Sequence, residues 1–171
     1  GVPCDWRPAV VIVVHHDVDE AEVRPEEDRL TLRFVLGRGQ EVQARLEHRA
    51  AAHSSQLGDA ELSRAVAQQT GVLLMALRKD FFHTHPVDSM DKAVSDQLRD
   101  QADRAAHVFI TDKLSAARPL DAILSEEGKD DAARLVSDRV WIVDPLDGTW
   151  EYGQGRKDFG VHIALWNAKV G

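Results

Sequence analysis

Cysteine is nearly absent from this chain. The single Cys4 cannot form an internal disulfide, and its isolation fits a reducing, cytoplasmic setting. Long apolar runs are missing as well. The longest near the start covers residues 9–14, far short of the ~20 residues of a membrane span. No basic leader followed by an apolar block opens the sequence, so nothing supports secretion or a membrane partner. Basic residues are in deficit: 21 Lys and Arg stand against 29 Asp and Glu, a net charge of −8. That balance counts against a partner that is a nucleic-acid polymer, since such proteins normally present a basic face. What remains is a chain of 171 residues, 43% hydrophobic, enough for a core and for one domain or one domain with an appendage.

The acid is unevenly placed. Residues 121–151 hold nine acids and three bases, and so carry six of the eight net negative charges. A charge run usually marks a solvated face. Here the acids alternate with apolar runs, Ala122-Ile123-Leu124 and Val140-Trp141-Ile142-Val143. Acids just past the ends of buried strands sit at a rim where a site can form.

The hydrophobic period divides the chain. In residues 1–57, the β-branched run 9–14 reads as a strand. Leu30, Leu32, Phe34 and Leu36, a turn at Gly37-Arg38-Gly39, then Val42, Ala44 and Leu46 read as a β-hairpin. This segment is expected to pack apart from the rest, with a boundary near 50–58. From Asp59, Leu62, Val66, Val72, Leu73 and Ala76 follow helical spacing, predicting a helix from an Asp59 cap to about Lys79. Residues 81–90 read as a loop. A second helix is expected over 101–117, stopped by Pro119. Strands are expected at 121–124, 139–143 and 159–166, with a short turn or helix near 131–135. The fold class is α+β, a helix pair on a mainly antiparallel sheet.

One motif carries chemistry. Trp141-Ile142-Val143-Asp144-Pro145-Leu146-Asp147-Gly148-Thr149 is a strand ending at an acid and turning sharply. Pro145 fixes its own φ and offers no N–H, and Gly148 removes a side chain where a ligand could approach the backbone. Two carboxylates crowded at one point resist ionising together unless a cation lies between them, and Mg²⁺ suits hard oxygen ligands. An Asp-Pro/Asp-Gly turn binding only its own amides would look the same. Leu124-Ser125-Glu126-Glu127-Gly128 places further acids after an apolar strand, and Asp103 opens a helical segment where a first-turn acid is also favoured by the helix dipole.

Taken in order, these three elements resemble the inositol monophosphatase-like superfamily of Mg²⁺-dependent, Li⁺-sensitive phosphatases, over residues 59–166. Glu151-Tyr152 and Val161-His162-Ile163-Ala164-Leu165 look most like its 3'(2'),5'-bisphosphate nucleotidase branch, which removes the 3'-phosphate of 3'-phosphoadenosine 5'-phosphate in sulfate assimilation. Trp150 departs from the Lys or Arg expected there. The resemblance implies that Glu126, Asp144 and the Leu146 carbonyl hold a first metal, and Asp144 and Asp147 a second. It further implies that Asp103 and Thr149 orient the attacking water with help from Glu126. The amides of Gly148 and Thr149 would receive the phosphate, with Glu127 behind the ligands. Mg²⁺ is the implied cofactor, two or three ions in a complete enzyme, with Mn²⁺ as a substitute. The implied partner is a small phosphorylated substrate, with a homo-oligomer left open. Residues 58–171 would form the metal-binding half of a phosphatase domain. In the family a second domain adds one more metal-binding Asp and most of the pocket. The chain is therefore expected to be truncated, and weakly active or inactive alone. An inositol or sugar phosphatase, and a non-catalytic module, stay open as alternatives. His15-His16-Asp17 and His83-x-His85 read as surface histidines, and Trp6, Trp141 and Trp166 as packing residues.

Overall fold

The computed structural model describes residues 10–15, 29–36, 40–47, 56–86, 91–129 and 132–169, the first three stretches as backbone only. Cys4, Trp6, His16 and Asp17, and the turn at 37–39, lie outside the described residues.

Two helices of 26 residues each, α1 (Asp59–Thr84) and α2 (Lys92–Ala117), pack on a four-stranded sheet. Its strands are β1 (Val10–His15), β4 (Ala122–Ser125), β5 (Arg139–Asp147) and β6 (Gly160–Asn167), in the order β1-β6-β5-β4. β5 runs antiparallel to β6 and parallel to β4, and β1 is antiparallel to β6. A short 3₁₀ helix (Ala132–Leu135) lies in the β4–β5 connection, and α3 (Thr149–Gly153) follows β5. The α+β class is as expected. β2 (Arg29–Leu36) and β3 (Gln40–Glu47) form the expected hairpin as a separate two-stranded sheet. β1 departs from that grouping: it pairs with β6 along six residues, from Val10 opposite Leu165 to His15 opposite Gly160.

Alternation explains the sheet. Trp141, Val143, Val161, Ile163 and Leu165 point to one face and are buried against the helices. Leu62, Val66, Leu74 and Phe81 of α1 meet them there with Ala102, Ala106, Ile110 and Leu114 of α2. Ser63 and Thr70, also buried in α1, satisfy their hydroxyls on the carbonyls of Asp59 and Val66, both at 2.8 Å.

Both helices overrun the sequence expectation. α1 continues to Thr84 because Phe81 belongs to its buried stripe, so residues 81–84 are not a loop. Its cap is Gly58, whose N–H donates to Glu61 Oε2 at 3.2 Å, rather than Asp59. α2 starts nine residues early. The Asp91 carboxylate caps it by accepting from the Val94 N–H at 2.9 Å, and only Ser95 and Leu98 are buried in the polar first stretch.

Asp59 instead joins an ionic clasp at the start of β5. Arg139 holds both Asp121 oxygens, at 2.9 and 3.0 Å, and Asp59 Oδ1 at 3.0 Å. Arg118 reaches Asp59 at 3.1 Å and the Leu57 carbonyl at 2.6 Å. The buried Trp141 donates its indole N–H to Asp121 at 2.9 Å, a packing role as expected. Asp121, one of the clustered acids, is thereby neutralised at the end of β5 remote from the Asp144 turn.

Candidate active site

Glu126 and Asp144 are side by side because β4 and β5 are parallel. Ser125 pairs with Val143, and the Glu126 N–H donates to the Val143 carbonyl at 3.1 Å. Each acid is therefore the first residue past that pair. The carboxyl ends of neighbouring parallel strands are where open sheets with helical connections bind ligands.

A bulge brings in Asp147. In a regular strand, residues three apart face opposite sides. Asp144 stands opposite His162 and Asp147 opposite Gly160, so three steps on β5 match two on β6. The additional residue, at Pro145-Leu146, restores Asp147 to the face of Asp144. Proline is tolerated here because it has no N–H to lose from the ladder. Asp144 Oδ1 accepts the Leu146 N–H at 3.2 Å, the local turn bond that the sequence left open. That bond does not consume the site, since the other carboxylate oxygen stays available.

The turn then closes on Gly148, whose φ of 81° lies in the left-handed region. A Cβ there would meet the Asp158 carbonyl at 2.7 Å, so two independent constraints demand glycine. The first helical bond of α3 runs from the Tyr152 N–H to the Gly148 carbonyl at 2.9 Å. The amides of Thr149, Trp150 and Glu151 precede it and have no intrahelical acceptor. Thr149 donates its hydroxyl hydrogen to the Leu146 carbonyl at 2.7 Å rather than to Asp103.

Asp103 comes from α2. It lies near the middle of that helix rather than in its first turn, so the helix dipole does not account for it. Its neighbours Ala102, Ala105 and Ala106 are buried, and their small size lets the backbone approach β5. Burial, then the charges of Glu127, Asp144, Asp100 and Glu126, push its carboxyl up to about 7. Burial also raises Asp144, followed by the charge of Glu126, against the opposing Leu146 N–H. Five of the expected residues thus sense one another: Asp103, Glu126, Glu127, Asp144 and Asp147. They face each other without closing up. Among the described residues, no group of three or more His, Cys, Asp or Glu could hold a metal ion as placed.

Two residues escaped the sequence reading. His162 shares the site's face, and its Nε2 lies 3.6 Å from Asp147 Oδ2. Its place in an apolar strand, opposite the first acid of the motif, was the available signal. Arg78 is buried in α1. Its guanidinium lies 5.1 Å from the Tyr152 ring centroid and 4.9 Å from that of Phe159, and donates to the Arg156 carbonyl at 2.5 Å. No pattern in α1 announces it. Trp150 is 53% exposed beside the turn, with the Arg156 guanidinium 5.9 Å from its ring. His85 stacks on Phe81 at 4.4 Å and shares a 2.8 Å hydrogen bond with Thr84. No helix among the described residues is long and apolar enough to cross a membrane.

The model of the inositol monophosphatase family matches residues 59–170. The 3'-phosphoadenosine 5'-phosphate phosphatase of Mycobacterium leprae (strain TN) is 42% identical over 120 residues, 70% of this chain and 41% of that protein. The 3'(2'),5'-bisphosphate nucleotidase CysQ of Escherichia coli (strain K12) is 38% identical over 91 residues, 53% of this chain and 37% of that protein. Among solved structures, the extragenic suppressor protein SuhB of Bartonella henselae aligns with a TM-score of 0.50 at 30% identity, covering 63% of this chain and 38% of that one. The chain spans about two fifths of the length of the curated relatives it matches.

Proposed function

The chain belongs to the inositol monophosphatase family, and from that premise we propose that it carries the acidic, metal-holding part of a phosphomonoesterase acting on 3'-phosphoadenosine 5'-phosphate. The observation that carries this reading is the placement of Glu126, Asp144 and Asp147 together at the carboxyl ends of β4 and β5, with Asp103 on α2 close enough to feel the charges of Asp144 and Glu126. The substrate follows the names of the Mycobacterium leprae and Escherichia coli relatives.

The donor set fits Mg²⁺. It consists of hard oxygens; its Asp144 carboxyl, and the neighbouring Asp103, are held above their ordinary range by burial and by nearby acids, a cost that a cation would offset. Glu126, Asp144 and the Leu146 carbonyl would hold one ion, and Asp144 and Asp147 another. Bound there, Mg²⁺ lowers the pKa of water and neutralises charge on phosphoryl oxygens.

The protein's own groups divide the remaining tasks. Thr149 spends its only hydrogen on the Leu146 carbonyl, which leaves its lone pairs to accept a hydrogen bond from water. Asp103, poised near neutrality, takes the proton that water loses. The Gly148 and Thr149 amides offer donors to the phosphate at a turn that glycine alone can form. Glu127 adds negative charge behind Asp103.

Mg²⁺ calorimetry on the wild type and on a D144N/D147N double mutant tests the site. A heat confined to the wild type is expected, and equal heats would sink the reading. Phosphate release from 3'-phosphoadenosine 5'-phosphate and from inositol 1-phosphate, with and without Li⁺, tests the substrate. A preference for the inositol ester would move the assignment to that branch.

A further inference from the structure

His107 follows Asp103 by four residues on α2, so the two share a face of that helix. Asp103 feels the charges of the acidic turns. His107 makes a different contact: its Nδ1 shares a 2.8 Å hydrogen bond with the Ser125 hydroxyl. Ser125 is the last residue of β4 and immediately precedes Glu126. No step above uses His107.

The place of Glu126 depends on Ser125. The Glu126 side chain is exposed, so its position is inherited from the backbone rather than from packing. β4 is four residues long and, among the described residues, pairs on one side with β5 and has no strand on the other. Past it the chain turns at once, and the Gly128 N–H donates to the Ser125 carbonyl at 3.0 Å. The imidazole supports this turn closely: a Cβ on Gly128 would come within 3.2 Å of His107 Cε1. The pair also borders a surface cavity of about 440 Å³, lined further by Thr111, Ser115 and Lys129, so no packed core stands behind it to replace the ring. A buried hydroxyl needs a partner, and α2 supplies one to Ser125 where β4 leads into the site.

We propose that His107 is a positioning residue for Glu126: through the Ser125 hydroxyl it fixes the end of β4. Because Asp103 lies one turn earlier on the same helix, the contact also sets the spacing between that acid and the Glu126 carboxylate. The inference rests on the metal-site reading above. Partners that orient a ligand without touching the ion govern affinity because the ligand must be held within tenths of an ångström.

The test measures Mg²⁺ binding by calorimetry for the wild-type chain, H107F, S125A, H107F/S125A and H107N, with amide exchange at Gly128 recorded alongside. H107F and S125A are each expected to lose about tenfold in Mg²⁺ affinity. The double mutant should be no weaker than either single one, since both remove the same contact. H107N, whose amide can replace the Nδ1 contact, should stay within about threefold of the wild type. Exchange at Gly128 should quicken by about fivefold in H107F and S125A. Should H107F fold poorly, S125A carries the test, because it removes the hydrogen bond and leaves the ring in place. Lower stability with unchanged Mg²⁺ affinity would mean that the pair only packs, and additive losses would mean that the two residues act separately. Either overturns the proposal while leaving the Mg²⁺ site in place. A wild type that binds no Mg²⁺ would overturn both.

Discussion

Gly148 and Asp158 are fitted to each other: a Cβ on Gly148 would sit 2.7 Å from the Asp158 carbonyl, in a residue whose φ is already 81°. The acidic turn is thus shaped by a strand-entry residue ten positions later in sequence. G148A should cost about 2–4 kcal/mol, combining left-handed strain with the clash. G148N relieves the strain but not the clash, since asparagine tolerates that φ, and should remain destabilised by about 2 kcal/mol. Urea unfolding of the three proteins separates the terms, and a G148N as stable as the wild type would show that the contact yields.

Asp103 makes apo stability depend on pH. Its folded carboxyl titrates at about 7 against an ordinary 3.8, so the folded state binds the proton more tightly. That contribution is complete below the unfolded value and is lost as pH rises through the folded one. The metal-free chain should therefore weaken between about pH 4 and 7. D103N should flatten this part of the profile and be the more stable at pH 7.5, by on the order of 1–2 kcal/mol after allowing for solvent screening of a half-exposed group. Urea midpoints at pH 4.5 and 7.5 provide the check, and parallel profiles would remove Asp103 as the source.

Arg78 should be hard to replace. Its guanidinium lies against two aromatic rings and satisfies the Arg156 carbonyl, a planar arrangement that an ammonium does not reproduce. R78K and R78M are each expected to lose about 2–3 kcal/mol, with the larger loss of Mg²⁺ response in the variant whose 154–158 loop moves more. Urea unfolding with amide exchange at Gly148 tests both statements. A neutral R78M would show that the charge contributes nothing.

Deleting residues 1–57 should not be harmless. β1 covers one edge of β6 through six residue pairs, and an uncovered edge is a template for pairing with another chain. The truncated protein is expected to unfold earlier and to associate. Sedimentation and thermal melting give the answer, and a monomer with an unchanged melt would return β1 to the status of an appendage.

These cases show which parts of the structure are legible in residue order. Alternation in 139–143 and the helical period in α1 state their own burial, because a strand or helix face is a local property. The acids at 126, 144 and 147 are readable because turn chemistry and strand ends fix them locally, whereas Asp103, in the middle of α2, is legible only through the family resemblance. β1 beside β6, the register that sets His162 opposite Asp144, and the Arg78 cradle are not, because each is decided by chain segments tens of residues apart. The start of α2 was hidden for another reason. Its first stretch is held by the Asp91 cap rather than by a full apolar stripe, and capping is a weaker signal than period.

The Tyr152 hydroxyl donates to the Leu74 carbonyl at 2.7 Å, and Arg78 reaches the Arg156 carbonyl; each contact spans 78 residues. On the ribosome, α1 is complete long before α3 exists. At synthesis rates of about 5–20 residues per second, its buried face waits several seconds or more for these partners. The acidic turn cannot be locked in that interval, because the closures that fix it join the two ends of a long loop. A nascent chain therefore exposes a finished helix pair before it owns a metal site, and any chaperone dependence should fall in that window.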